Sequence, residues 1–519
     1  MMMNKLITRL GRPLVALMGA FVLAIAHQYL FYDQALGVSY PIFVGLLYLY
    51  MFYNAKDQRT KPTLFGWTLF GAILLLSLTY VLFHNPFFRG LNFIVVPSLF
   101  FLHMTYTFST KRPAWFKPQM IVDGLDHLIV QSLRHVPTAF RLVKTSAGST
   151  MGERRKATIG KVLMGIVIAM PLMIIVISLL TSADGAFDQL LSGIPGFLSH
   201  FSFGEGIFRF IWLCVVCVLL FGYLWGFIDS KKFEWGHNEA SDPLLNRASD
   251  QHIDRATVHT VQYRSDPFKL ELDPIVTATV LVAINIVYVL FVIVQFSYLF
   301  GAGEGMLTSG SSYADYARSG FFELIAVTTI NFALLMGTII FSKTERNLLQ
   351  RINNIMLYIL VTCSCVMLYS AFIRLVLYEQ AYGYTYIRFL VHAFMIFLAV
   401  LLIIAGLRIH FKTLPLAKFY IVFGIVSYVI LNYMGMDHII AENNIVRYQE
   451  SGVLDEEYLH SLSTDAIPTI INFSQEEHSI MDEHLTEQWK ILSEKDRDWA
   501  SFNLSVYRAE RALEDYLGT

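Results

Sequence analysis

This sequence predicts an all-α, polytopic helical membrane protein with a small external helical domain at its C-terminus. Three observations lead there. The 519 residues are 55% hydrophobic and only 15% charged, with a mean hydropathy of +0.52, the balance of a membrane chain rather than of a large soluble core. Apolar runs of roughly 20 residues, enough for a helix to cross about 30 Å of hydrocarbon, recur along most of the chain. Lys and Arg crowd alternate loops and are sparse in the loops between, the bias that orients membrane helices.

Taken in order, about eleven spans are expected, because lipid forces each crossing segment to satisfy its own backbone hydrogen bonds. They fall near 13–31, 37–53, 64–84, 90–108, 160–181, 206–228, 273–299, 319–341, 353–378, 387–408 and 415–434. The basic N-terminus before the first run resembles a signal peptide. The run is too long for one and lacks a small-residue cleavage site, so it reads as an uncleaved span. Basic clusters at Lys5, Arg9 and Arg12, at Lys56, Arg59 and Lys61, and at Lys111, Arg112 and Lys117 begin the alternation. Arg154-Arg155-Lys156, Lys231-Lys232, Lys343 with Arg346 and Arg351, and Arg408 with Lys412 and Lys418 continue it. An odd number of spans with the N-terminus inside then places the C-terminal tail outside.

The resulting division is membrane helices one to four in 1–108, a cytoplasmic amphipathic and basic segment in 109–159, helices five and six in 160–228, a cytoplasmic polar loop in 229–272, helices seven to eleven in 273–434, and an extracytoplasmic acidic helical domain in 435–519. In 119–135, Ile121, Val122, Leu125, Leu128, Ile129 and Leu133 recur at helical spacing, which predicts a helix lying in the inner interface. In the tail, acidic residues outnumber basic ones about three to one. Leu485, Trp489 and Leu492, and then Trp499, Phe502 and Tyr507, supply an apolar face that should pack on the outer surface of the membrane domain.

The four cysteines, Cys214, Cys217, Cys363 and Cys365, lie in apolar runs and read as small hydrophobes rather than a disulfide framework. No serine-nucleophile elbow, zincin, ATPase or kinase motif is present. The His and Glu residues between 477 and 484 match no metal-ligand spacing, so neither a metal nor a cofactor is expected. The basic loops are accounted for by their position beside the membrane, so nucleic acid is not an expected partner; the lipid bilayer is.

Several short motifs occur together in the second half. YARSGFFEL opens a span at Tyr316, and Tyr378-Glu379, Tyr382-Gly383-Tyr384-Thr385 and Arg388 lie between two spans. The tail carries Asn444, Leu454-Asp455, Tyr458-Leu459, Leu462-Ser463-Thr464-Asp465-Ala466 and Pro468, then Asp498-Trp499 and Phe502-Asn503-Leu504-Ser505. In these the chain resembles, over roughly 270–510, a bacterial membrane family catalogued as domain of unknown function 4173 and related to 4153. The resemblance implies a multi-pass envelope protein and no activity, so it carries no catalytic residue to this chain.

The candidate site is a polar cluster at the outer ends of spans eight to ten: Arg318, Glu323, Arg374, Glu379, Arg388 and His392. Charge is expensive in a bilayer, so Glu323 is expected to pair with Arg374 or Arg388. Two readings stand, a clamp between helices and an externally open pocket for an anionic or polar ligand. Three functions follow in order of preference. The first is a non-catalytic sensor, regulator or assembly partner of another envelope protein. The second is a transporter or flippase using the pocket between spans eight and ten. The third is a membrane glycosyl- or lipid-transferase, which expects an acidic pair in the first external loop where only Asp33 stands. The balance leans away from an enzyme.

Overall fold

The computed structural model describes residues 2–109, 112–146, 203–229, 273–301, 321–341, 348–476, 481–494 and 497–518. The described residues are helical with connecting turns. The first four helices are α1 (Met2–Phe31), α2 (Ser39–Asn54), α3 (Leu64–Leu82) and α4 (Pro86–Phe108). There follow α5 (Gln119–Leu125), a π-helical turn (Asp126–Gln131), α6 (Ser132–Arg134), α7 (Val136–Ser146) and α8 (Phe203–Ile228). Next come α9 (Pro274–Gly301), α10 (Phe321–Phe341), α11 (Leu348–Tyr382), α12 (Tyr386–His410) and α13 (Leu416–Tyr433). The tail holds α14 (Met436–Ser451), α15 (Glu456–His460), α16 (Ile467–Glu476), α17 (Asp482–Ser493) and α18 (Leu504–Leu517).

Among the described residues, nine helices are long and apolar enough to cross a membrane: α1, α3, α4 and α8 to α13. They coincide with nine of the eleven expected spans. Expected span two is α2, whose 16 residues reach only about 24 Å at 1.5 Å per residue. Expected span five, at 160–181, lies outside the described residues, as do Arg154-Arg155-Lys156 and most of the 229–272 loop. All four cysteines are free thiols.

The chain forms two compact units. The first comprises Met1–Ser230, Tyr378–Phe394 and Pro415–Thr519. Its membrane-helix core is shared by α1, α2, α3, α4 and α8, and small residues let the backbones approach: Ala16, Ala20 and Ala24 are all buried there. Asn92 ties three helices together, donating to Thr79 Oγ1 of α3 and Asn432 Oδ1 of α13 while accepting from Tyr428. The second unit comprises Lys231–Leu377 and Met395–Leu414. It uses the same device: Asn331 donates to Ser364 at 3.0 Å, Asn285 to the Met356 carbonyl and Asn353 to the Pro274 carbonyl.

The segment from 119 to 134 is helical, with its polarity turned inside out. Ile121, Val122, Leu125, Ile129 and Leu133 are each more than half exposed, whereas His127, Gln131 and Ser132 are buried. The apolar stripe is therefore the free face, as a lipid-facing helix requires, and the polar face is covered by α8. Gly222 and Gly226 of α8 permit this: a Cβ on Gly222 would stand 2.5 Å from the Ser132 carbonyl oxygen. His127 stacks on Phe227 with ring centroids 3.4 Å apart. Burial pulls its pKa down to about 4, so the imidazole that packs here is neutral.

The tail helices build a core that the ends of α4, α12 and α13 help to close, through Phe88, Tyr386, Phe389, Leu390 and Leu431. Leu485 and Leu492 are buried in it, beside Ile470, Phe473, Val506, Ala509 and Leu513. Of the second expected apolar set, Trp499 meets Tyr29 of α1, with ring centroids 6.2 Å apart, yet Trp499, Phe502 and Tyr507 remain 48%, 41% and 43% exposed. Residues 499–501 form a 3-10 turn ahead of α18 rather than the first turn of a helix.

Candidate functional site

The tail begins where α13 ends. Gly435 adopts φ +68° and turns the chain directly into α14, a left-handed conformation that costs glycine little. That turn delivers Asp437, which has no exposed surface, beneath the tail. Its carboxyl group accepts from three elements: the Asn85 side-chain amide, the Tyr386 hydroxyl and the Ser463 backbone N–H. Asn85 is set by its own local role. It caps α4, its Oδ1 accepting from Phe88 N, with Pro86 at the first helical position. Its amide nitrogen is left pointing at Asp437.

A second aspartate lies beside the first. Asp465 accepts from the His84 backbone N–H through both oxygens, at 2.9 and 3.1 Å. Burial, and to a lesser degree the Asp437 carboxyl, push the Asp465 carboxyl above the usual aspartate range; hydrogen bonds from Ser505, the His84 N–H and Ser463 oppose that shift. The C-terminal end of α3, whose last carbonyls have no helical partner, is closed from both sides. Arg89 donates to the carbonyls of Tyr80, Phe83 and Leu36. Asn503 donates to Tyr80 and Phe83 while its Oδ1 caps α18. Phe502 accepts from the Val38 N–H at 3.0 Å, an approach that requires Gly37, since a Cβ there would stand 2.5 Å from the Phe502 carbonyl oxygen.

The turn between α11 and α12 is held in the same way. Asn444 of α14 pairs with the Tyr384 backbone in both directions, at 2.8 and 2.9 Å. Gly383, at φ +83°, passes so close that an added Cβ would lie 2.7 Å from Asn444 Oδ1. Arg447, 8% exposed, donates to the Ala381 and Val453 carbonyls. The Tyr458 hydroxyl accepts from the Tyr386 N–H. The short motifs of the second half, apart from YARSGFFEL, thus meet on one surface, where the tail seats on the ends of α3, α4 and α12.

The six residues proposed from sequence are distributed differently. Arg318 lies outside the described residues. Glu323 and Arg374 belong to the second unit, where both line a cavity of about 350 Å³ with Val287, Tyr288, Phe291 and Met367. Glu379, Arg388 and His392 belong to the first unit. His392 Nδ1 is 3.3 Å from the Glu379 carboxyl. Arg388 is engaged by its own turn, donating to the Tyr382 and Gly383 carbonyls and lying 4.3 Å over the Tyr378 ring.

Sequence reasoning did not single out Asn85, Arg89 or Asp437. Asn85-Pro86 is legible as a helix start, but nothing local reveals that its amide meets a carboxyl 352 residues away. Among the described residues no group of three or more His, Cys, Asp or Glu side chains is arranged to hold a metal ion.

A helical membrane protein whose tail is bonded into the ends of its own apolar helices is the class these features define. The family model described as Domain of unknown function (DUF4153) matches residues 70–473, and the chain belongs to that family. The match reaches back into α3 and so takes in the apolar first half, beyond the region in which the short motifs carry the resemblance. No curated protein and no solved structure matches the chain.

Proposed function

We propose that this protein is a non-catalytic component of the bacterial envelope, a sensor, regulator or assembly partner whose C-terminal helices report to the ends of its membrane helices. One observation carries this reading: the family motifs gather around two aspartates that accept protein hydrogen bonds, and the cavity beside them holds only about 10 Å³. That is room for about one water. A substrate site needs open volume, whereas a joint needs satisfied bonds. The same reading places the N-terminus in the cytoplasm and 435–519 outside. In a cysteine-free background, a cysteine at exposed Glu487 should react with an impermeant maleimide on intact cells, and one at exposed Lys56 should not. The reverse pattern would overturn the orientation.

A transporter reading is favoured by a different observation, the cavity shared by Glu323 and Arg374. The two readings separate in a deletion strain. If the joint is the working part, Glu323→Gln with Arg374→Met restores the wild-type phenotype and Asp437→Asn does not. If the cavity is, the paired variant folds with a normal melting temperature and fails to complement. Replacing both charges rather than one keeps the comparison clean, since a lone partly buried charge is destabilising in itself.

A further inference from the structure

A third cavity, of about 380 Å³, lies in the first unit at the opposite ends of α3 and α4 from the tail. Its inner wall is aromatic and includes Phe52, Phe70 and Tyr106. At its back the Tyr48 hydroxyl and His103 Nδ1 are 2.8 Å apart. Its rim is cationic: Arg59, Lys61 and Arg112 all line it, and none of the described residues that line it is acidic. The one acidic residue of the segment 55–63, Asp57, is already paired with Arg12 at 2.8 Å. Arg112 is built into the wall, its guanidinium bonded to Thr60 Oγ1 and the Lys61 carbonyl and lying 4.9 Å over Tyr106. Its Nε is buried with no hydrogen-bond partner among the described residues. Arg59 and Lys61 are exposed. Two lining residues, Leu49 at 67% and Trp67 at 60% exposure, give the mouth an apolar border.

We propose that this cavity binds an anionic membrane phospholipid, with the phosphate among Arg59, Lys61 and Arg112 and the first part of one acyl chain against Phe52, Trp67 and Phe70. Two independent features converge on that occupant. The rim carries uncompensated positive charge, and arginine offers several donors to a phosphate at once. The walls behind it are apolar, and the mouth is edged by residues suited to lipid, so a molecule already in the bilayer enters sideways without leaving it. The volume accommodates a headgroup and a short length of chain, not a whole phospholipid, so the rest of the tail stays among its neighbours. A free polar anion would leave the aromatic wall unfilled, and a neutral lipid would leave the rim unmatched.

The test uses the full-length protein in detergent, with phosphatidylglycerol, phosphatidylcholine or inorganic phosphate added, read by native mass spectrometry and by melting temperature. Phosphatidylglycerol is expected to be retained and to raise the melting temperature, with phosphatidylcholine bound about tenfold less and phosphate without effect. Arg59→Gln with Lys61→Gln should weaken phosphatidylglycerol retention by about tenfold or more, while melting like the wild type in the absence of lipid. Lys61→Gln alone should give an intermediate loss. Arg408→Gln with Lys412→Gln, which removes the same charge elsewhere, should leave retention unchanged. Equal retention by the Arg59/Lys61 variant and the wild type would overturn the proposal, as would equal binding of phosphatidylcholine. A melting shift produced by inorganic phosphate alone would assign the site to a free anion and overturn the lipid assignment.

Discussion

Asp437→Ala is expected to cost roughly 3–5 kcal/mol and to release the tail from the helix ends. The substitution strands three donors at once, the Asn85 amide, the Tyr386 hydroxyl and the Ser463 N–H, in a place where Asp437 itself has no exposed surface. An unmatched buried donor costs about 1–3 kcal/mol, and water entering the vacated space recovers part of the sum. Asp437→Asn keeps the shape and one acceptor oxygen but turns the other into a donor facing a donor, so it should cost less, about 1–3 kcal/mol. Melting in detergent measures the loss, and limited proteolysis shows where it falls: cleavage between 435 and 519 should accelerate ahead of cleavage elsewhere. If Asp437→Ala melts like the wild type and its tail stays protected, the joint does not hold the tail.

Gly222→Ala should detach the inside-out helix from α8. The new methyl carbon would lie 2.5 Å from the Ser132 carbonyl oxygen and 3.3 Å from its carbonyl carbon. Both are backbone atoms of a helical segment, so no side-chain rotation relieves the clash and the whole segment must shift. Overpacking of this kind costs about 1–3 kcal/mol, and the backbone obstacle puts Gly222→Ala at the upper end. Gly226→Ala meets the Gln131 Cβ and the His127 ring at 3.1 Å, contacts that yield by a few tenths of an ångström, and should cost about 1 kcal/mol. At Gly71 of α3 an added methyl carbon would meet nothing within 4 Å, so Gly71→Ala serves as the neutral control. Hydrogen exchange over 119–134 should rise for Gly222→Ala, less for Gly226→Ala and not for Gly71→Ala. Equal exchange in all three would mean that the glycine contact is not what seats this segment.

Much of the fold was legible in the sequence because membrane helices are specified locally. A run such as 64–84 carries no Asp, Glu, Lys or Arg and is mostly apolar, and lipid leaves it no alternative to the helix. The helix starts at Thr63, Asn85 and Asn503 are local too, each a side chain accepting from an N–H three residues on. The 119–134 helix was legible from its spacing, and its apolar stripe was expected to face the membrane interface; what its polar face packs on was not legible, because hydrophobic periodicity marks a stripe and says nothing of the partner behind it. The two glycines that admit its polar face lie about 90 residues further along the chain, in a helix whose own sequence reads simply as apolar.

The sequence by itself determined the membrane class of this protein, the positions of nine of its apolar helices, its family and the short motifs on which the resemblance rests. Only the tertiary structure decided what those motifs do together. Glu379 finds His392, Arg388 closes on its own turn, and Asp437 gathers Asn85, Tyr386 and Ser463. The reason is physical. A helix is stabilised within one stretch of chain, by hydrogen bonds four residues apart and by apolar side chains meeting lipid. A buried carboxyl is stable only when donors from distant segments converge on it, and convergence is a property of the folded chain alone.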